Sequence, residues 1–137
     1  MLLQMKRNGE RIATLTAYDA SFARAMDHAG IDAVLVGDSL GMVIKGGANT
    51  VSVGIDDMVY HSRCVAQGLQ SALLIADMPF QSYATPERAL DSASALLSLG
   101  SVMDSILTAS PSRWHQWPDG SCPGDVLVDV RVAGHAC

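Results

Sequence analysis

Three groups of polar residues directly follow apolar, strand-like segments of the sequence. They are Tyr18 with Asp19, then Asp38 with Ser39 in VLVGDSLG, and then Asp77 in LLIADMPF. In a parallel sheet with helical crossovers, ligands bind at the carboxyl ends of the strands, because the connecting loops converge there. Neighbouring strands lie about 4.8 Å apart, so Asp38 and Asp77 could share one divalent cation. Two hard oxygen ligands, with the other positions left to water and substrate, favour Mg²⁺.

The same residues allow other interpretations, which spacing alone leaves open. Each aspartate could simply cap the turn that follows its strand. The letters GDSL are also typical of serine esterases, in which Ser39 would attack a carbonyl with a histidine as general base. The esterase pattern fits poorly, because DVRVAGH lacks the D-x-x-H spacing of those hydrolases and GDS here follows the second strand. His61 is a further catalytic candidate, although a lone histidine on a helix is more often structural.

Three strand-then-helix units are predicted to position these groups. Apolar runs predict strands at residues 11–19, 32–38 and 72–80. Helical spacing and capping residues predict helices at residues 20–30, 55–68 and 85–100, and the glycine-rich segment 39–54 is predicted to be a loop. Alternating strands and helices predict an α/β fold with a parallel sheet.

The composition changes after Gly100. Both tryptophans, three of the five prolines and two of the three cysteines lie in residues 101–137, which contain no lysine or glutamate. We therefore divide the chain into residues 1–100, built of βα units, and a divergent, loop-rich tail, residues 101–137. The alternating segment DVLVDVRVAGHAC, residues 125–137, predicts a terminal strand. Cys64, Cys122 and Cys137 match no zinc or redox motif, so we expect reduced thiols.

Charge and hydropathy exclude several classes of partner. The formal net charge is −5, with 9 Lys and Arg against 14 Asp and Glu, and no basic run occurs. We therefore expect no binding to nucleic acid or to an anionic membrane surface. No apolar run approaches the roughly 20 residues of a membrane span, and MLLQMKRNGE lacks the apolar core of a signal peptide. These features predict a cytoplasmic protein.

Four longer segments resemble one known family. TLTAYD, AGIDAVLVGDSLGMVIKG, NTVSVGIDDMVYHSRCVAQG and LLIADMPFQSYATPERAL occur in the order and at the spacing of ketopantoate hydroxymethyltransferases. The resemblance covers about residues 3–100. It implies an α/β fold that is the N-terminal, incomplete portion of a (β/α)₈ TIM barrel of the phosphoenolpyruvate/pyruvate-binding type. It also implies a homo-oligomer.

The resemblance implies a reaction and a set of site residues. The family transfers a hydroxymethyl group from 5,10-methylenetetrahydrofolate to 3-methyl-2-oxobutanoate with Mg²⁺ present, which gives 2-dehydropantoate for pantothenate and coenzyme A biosynthesis. By analogy, Asp38 and Asp77 bind the metal and contact the substrate, and Ser39 holds the substrate carboxylate. A four-residue match in VAGHAC would make His135 a substrate-side histidine.

The sequence departs from the family after its third helix. The family has a strand reading like M-D-A-I-K-L-E-G-G, whose Lys contacts substrate and whose Glu supports the metal site, whereas this chain reads MDSILTASPSR. The family's general-base Glu has no counterpart, so the catalytic residue is unknown. Two hypotheses follow: a hydroxymethyltransferase, or a truncated form that keeps a partial metal and oxo-acid site and turns over slowly or not at all. A eukaryotic source would make a mitochondrial location the alternative to the cytoplasm.

Overall fold

The computed structural model describes residues 2–98, 105–109 and 127–128. The predicted strand-then-helix units are present in this part of the chain, with two helices in succession after the second strand and two strands in succession at the end. In chain order they are α1 (Leu2–Asn8), β1 (Thr14–Thr16), α2 (Ala20–His28), β2 (Ala33–Val36), α3 (Leu40–Val43), α4 (Ile55–Ala66), β3 (Leu73–Met78), α5 (Pro86–Leu97), β4 (Ser105–Ala109) and β5 (Leu127–Val128). None of the helices in these ranges has the length and apolar character needed to cross a membrane.

The strands form one sheet in the order β1-β2-β3-β4-β5. β1 to β4 are parallel to one another, and β5 runs antiparallel to β4. Val36 of β2 pairs with Ala76 of β3, and the next residue of β3, Asp77, pairs with Thr108 of β4. The carboxyl ends of β2 and β3 therefore lie side by side, at the end of the sheet where the parallel strands terminate. The predicted α/β class with a parallel sheet is confirmed.

Helices α2, α4 and α5 pack on one face of this sheet. Alternate strand residues point to that face and are buried, which follows from the two-residue period of a strand. The buried core combines these strand residues with apolar residues of α2, α4 and α5: Val34, Val36, Leu74, Ala76, Met78, Ala23, Met58, Val65, Ala93 and Leu96. Leu35, Ile75 and Asp77 alternate with the buried residues and are only half-buried. Asp77 thus lies on the sheet face opposite the helices.

Local capping groups set where two of the helices begin. The carboxylate of Asp19 accepts hydrogen bonds from the backbone N–H of Ser21 at 2.7 Å and of Phe22 at 2.9 Å, at the N-terminus of α2. Thr85 Oγ1 accepts from the Arg88 N–H at 3.3 Å, and Pro86 is the first residue of α5. These contacts satisfy backbone donors that have no partner inside the helix. Of the aspartates singled out in the sequence, Asp19 is thus a cap.

A buried aspartate fixes the start of β3 against α2. The Asp27 side chain is 9% exposed and accepts hydrogen bonds from the N–H of Ala72 at 2.7 Å and of Ser71 at 3.0 Å. It also accepts from the Ser71 hydroxyl at 3.1 Å and from the Gln70 N–H at 3.2 Å. Burial raises the pKa of the Asp27 carboxyl, but these hydrogen bonds outweigh it and hold that pKa below its ordinary value. Asp27 therefore stays ionised and holds the segment that leads into β3.

Gly68 allows α4 to end directly against α2. A Cβ at this position would collide with the carbonyl oxygen of Ala20 and lie 2.8 Å from the Ala23 Cβ and 3.0 Å from the Arg24 nitrogen. Two of these three atoms belong to the helix backbone, which cannot rotate away. The sequence analysis predicted that the helix stops at Gly68, and the structure adds this close approach as the reason for glycine.

Several elements differ from the sequence-based prediction. α1 was not predicted, and α3 lies within the segment 39–54 that was predicted to be a loop; α3 is only 4 residues long, too short to show a helical period. β1 is shorter than the predicted strand 11–19 because only Thr14–Thr16 pairs with β2. β4 occupies the segment for which the family resemblance implied a strand. β5 lies inside the predicted strand 125–137, but His135 and most of the tail lie outside the described residues.

Candidate functional site

The carboxyl end of β2 presents Gly37, Asp38 and Ser39. Gly37 is buried, and the other two residues are half-buried. Ser39 stands at the N-cap of α3, yet its side chain makes no capping hydrogen bond. Its Oγ lies 2.6 Å from the phenol oxygen of Tyr18 instead. Helix capping therefore does not explain why a hydroxyl stands at this position.

Gly37 leaves a small space in which groups from β2 and β3 meet. A Cβ built on Gly37 would lie 3.2 Å from Ser39 Oγ and 3.3 Å from Asp77 Oδ2. Both oxygen atoms thus approach one point from adjacent strands. The structure brings Ser39 and Asp77 together, whereas the sequence analysis predicted an approach of Asp38 to Asp77, which stays a prediction.

Asp38 lies between Gly37 and Ser39 on the same loop. Across the described part of the chain, the Asp38 carboxylate has no hydrogen-bond or ion-pair partner. Capping of the following turn, one interpretation that the sequence left open, therefore does not account for Asp38. The half-buried Asp38 carboxylate thus has acceptor positions that no described residue occupies.

Tyr18 and His61 connect this loop to the end of β1 and to α4. His61 Nδ1 lies 2.8 Å from the Tyr18 carbonyl oxygen, and the two rings meet edge to face with centroids 6.3 Å apart. Because a carbonyl oxygen only accepts hydrogen bonds, Nδ1 of His61 must carry the proton. The sequence flagged both residues but gave no signal that they touch, since 43 positions separate them.

The donor set can be compared with the needs of Mg²⁺. Within residues 2–98, 105–109 and 127–128, no cluster of three or more His, Cys, Asp or Glu side chains could hold a metal ion. Mg²⁺ is commonly bound through only one or two carboxylates, with water and substrate oxygens as the other ligands. Asp38 and Asp77, with a hydroxyl beside the Gly37 space, are hard oxygen donors of that kind. The residues present therefore fit a Mg²⁺ site completed by substrate.

An ion pair joins the start of the loop after α3 to the first turn of α4. Lys45 Nζ lies 2.9 Å from Asp57 Oδ2, which also accepts from the Gly54 N–H at 3.0 Å. The hydrogen bond from Lys45, followed by the one from Gly54, holds the pKa of the Asp57 carboxyl below its usual value. These contacts fix the N-terminus of α4, the helix that carries His61.

A separate open cavity of about 320 Å³ lies between the first turns of α4 and α5. Its walls include Val53, Pro79, Phe80, Arg88 and Asp91. None of Tyr18, Asp38, Ser39 and Asp77 lines it. The polar groups around Gly37 therefore lie outside this cavity.

An α/β fold with polar groups converging at the carboxyl ends of neighbouring parallel strands carries the kind of site found in α/β enzymes. Comparison with known proteins identifies the family. The profile described as ketopantoate hydroxymethyltransferase matches residues 1–106. The chain belongs to the ketopantoate hydroxymethyltransferase family.

Curated relatives support the same assignment. A protein of Colwellia psychrerythraea is 55% identical over 134 residues, which cover 98% of this chain and 48% of the relative. A protein of Xylella fastidiosa strain M12 is 56% identical over 105 residues, or 77% of this chain and 39% of the relative. One from Shewanella loihica is 57% identical over 102 residues, or 74% and 39%. Each is named 3-methyl-2-oxobutanoate hydroxymethyltransferase, a transferase, and this chain spans about half or less of its length.

Proposed function

We propose that this chain carries part of the binding site for Mg²⁺ and 3-methyl-2-oxobutanoate of a hydroxymethyltransferase. The co-substrate would be 5,10-methylenetetrahydrofolate and the product 2-dehydropantoate. The observation that carries the proposal is the approach of Ser39 Oγ and Asp77 Oδ2 to one point beside Gly37, the residue that precedes Asp38 in the chain. Family membership suggests the reaction, and the site chemistry suits its 2-oxo acid substrate.

Each residue of the proposed site has a distinct role. Asp38 and Asp77 would hold the cation, and the Ser39 hydroxyl would donate a hydrogen bond to the substrate carboxylate. When bound, the cation would supply Lewis-acid polarisation of the keto oxygen, which makes the proton on C3 more acidic. His135 remains a proposed substrate contact by resemblance, outside the described residues. We assign no general base.

We further propose that the sheet is the N-terminal part of a (β/α)₈ barrel. β1 to β4 follow one another in sequence order, whereas doubly wound sheets reverse their strand order at a switch point. The core also places α2, α4 and α5 against one face, as a barrel requires of its outer helices. The homo-oligomer expected from the family remains part of this proposal.

The esterase interpretation of GDSL receives no support from the contacts of Ser39. In the described part of the chain, the hydrogen-bond partner of Ser39 Oγ is the Tyr18 phenol and not a histidine. Nδ1 of His61 binds the Tyr18 carbonyl and not the serine. A substrate-binding hydroxyl fits these contacts better than a nucleophile does.

Thermal unfolding tests the proposed site directly. The purified chain is melted by circular dichroism alone, with Mg²⁺, with 3-methyl-2-oxobutanoate, and with both. Only a ligand that binds the folded state raises the melting temperature, and a ligand at a hundred times its Kd adds about 2.7 kcal/mol. We expect the largest rise with both ligands together, because the oxo acid completes the coordination of the metal.

Matched variants connect that rise to the named residues. Asp38→Asn should remove the rise in melting temperature that Mg²⁺ causes. Ser39→Ala should mainly weaken the binding of the oxo acid. Asp56→Asn, which changes an exposed aspartate on α4, should leave both effects intact. Ligand-independent melting, or an unchanged rise in Asp38→Asn, would contradict the proposal. Turnover is expected to be slow or absent, and a family-like rate would reject the view that the site is only partial.

A further inference from the structure

One short contact of the site joins two hydroxyl groups. The Tyr18 phenol oxygen and Ser39 Oγ lie 2.6 Å apart, and both residues are half-buried. This separation is at the short end of the range for an O–H···O hydrogen bond. Either oxygen could be the donor, but only one proton can lie between them. The direction of this bond decides what Ser39 offers to a ligand.

A serine hydroxyl has one proton and two lone pairs. If Ser39 donated to Tyr18, it would turn a lone pair toward the Gly37 space and repel a carboxylate. If Tyr18 donates to Ser39, the serine proton is left for the ligand. An accepted hydrogen bond also polarises the serine O–H and strengthens its own donation.

We propose that Tyr18 is a positioning residue that donates its phenol proton to Ser39 Oγ and thereby aims the Ser39 proton at an anionic carboxylate. The inference rests on the proposed function, in which Ser39 binds the carboxylate of a 2-oxo acid. It adds a residue whose own contact is with Ser39 and not with the substrate.

His61 restrains Tyr18 in this position through contacts with its backbone and its ring. Its Nδ1–H donates to the Tyr18 carbonyl oxygen at 2.8 Å, and its ring packs edge to face against the phenol. Tyr18 follows the short edge strand β1, so few backbone contacts restrain it otherwise. His61 of α4 thus restrains Tyr18, Tyr18 orients the Ser39 hydroxyl, and Ser39 donates a hydrogen bond to the ligand.

The test measures the affinity of the purified chain for 3-methyl-2-oxobutanoate by titration calorimetry at saturating Mg²⁺. Tyr18→Phe keeps the ring and removes only the hydroxyl, and we expect about tenfold weaker binding. In a Ser39→Ala background the same change should have no further effect, because the two hydroxyls act as one unit. Tyr60→Phe is the control, since Tyr60 is 63% exposed and touches His61 only by its ring.

His61 variants provide an independent measurement. His61→Asn keeps a donor near the position of Nδ1 and should bind the oxo acid within about twofold of the unmodified chain. His61→Leu removes the donor and should weaken binding as Tyr18→Phe does. If Tyr18→Phe does not melt cooperatively, this pair decides the question, and tight binding by His61→Leu overturns the inference.

The outcomes separate the two claims. No binding of the oxo acid by the unmodified chain overturns the proposed function and the inference with it. Binding that is equally tight in Tyr18→Phe leaves the function standing and overturns the role of Tyr18 alone. An additive loss in the Tyr18→Phe, Ser39→Ala double variant would show a general structural effect and would also overturn the positioning role.

Discussion

The Asp27 carboxylate should be one of the largest single contributors to the stability of this fold. It accepts four hydrogen bonds from the segment 70–72. In Asp27→Asn, one oxygen can still accept from Ser71 and Ala72, but as a neutral acceptor, and charge-assisted bonds are roughly twice as strong. The amide NH₂ would face the Gln70 N–H and leave it without an acceptor. We expect a loss of about 3 kcal/mol at pH 7.

The pH dependence of this loss is a sharper test than its size. The pKa of Asp27 is lower in the folded chain than in the unfolded chain, so the folded state binds fewer protons. Its contribution is therefore complete above the unfolded pKa of about 3.9 and is lost as pH falls through the folded pKa. The stability difference between the unmodified chain and Asp27→Asn should shrink progressively below about pH 4.

Urea unfolding followed by circular dichroism, repeated at several pH values, measures both quantities. Asp91→Asn is the control, because Asp91 is an exposed aspartate on a helix and its replacement should change stability by less than about 0.5 kcal/mol. The reasoning is refuted if Asp27→Asn resembles this control at pH 7. It is equally refuted if the difference stays constant as the carboxylate is protonated.

Four further substitutions test the packing. Gly68→Ala should lower the free energy of unfolding, measured in urea, by about 1–3 kcal/mol, because its Cβ would collide with the α2 backbone. Gly54→Ser should leave stability unchanged or raise it slightly, because space is open at its Cβ and serine is a good N-cap residue. Gly37→Ala should fill the space between the two site oxygens and weaken oxo-acid binding more than it weakens the fold; equal affinity would contradict that use of the space. Lys45→Met should lose less than about 1 kcal/mol, since the side chain of Lys45 is 42% exposed and that of Asp57 33%, and high salt should erase the difference.

Much of the architecture follows from local sequence signals. Buried apolar runs identified β2 and β3, and the capping residue Thr85 with Pro86 marked where α5 begins. The placement of polar groups at the carboxyl ends of neighbouring parallel strands predicted that groups from the ends of β2 and β3 approach each other, although the sequence analysis paired Asp77 with Asp38 and the observed partner is Ser39. The roles of Asp38, Ser39, Asp77 and His135, the division at Gly100, the oligomer and the cellular compartment stay predictions.

Contacts between distant side chains could not be predicted in the same way. Three such contacts depend on how the helices pack on the sheet: the pairing of Tyr18 with Ser39, the support of Tyr18 by His61, and the four hydrogen bonds to Asp27. No sequence period or motif encodes that packing. The 4 residues of α3 are too few for a stable isolated helix, and two of them, Leu40 and Gly41, are buried, so tertiary packing rather than helix propensity explains α3.

The proposed site has walls of unequal local stability. Ser39 and Asp77 extend from β2 and β3, whose alternate residues are fully buried, whereas every residue of β1 is exposed at the edge of the sheet. Backbone amides in β1 should therefore exchange hydrogen with solvent far sooner than those of the central strands. Tyr18 follows that outer strand, so local fraying of β1 would open one side of the site while the rest of the sheet stays folded. A bound oxo acid would suppress this fraying, because its contacts would link the least stable strand, β1, to the more stable β2 and β3.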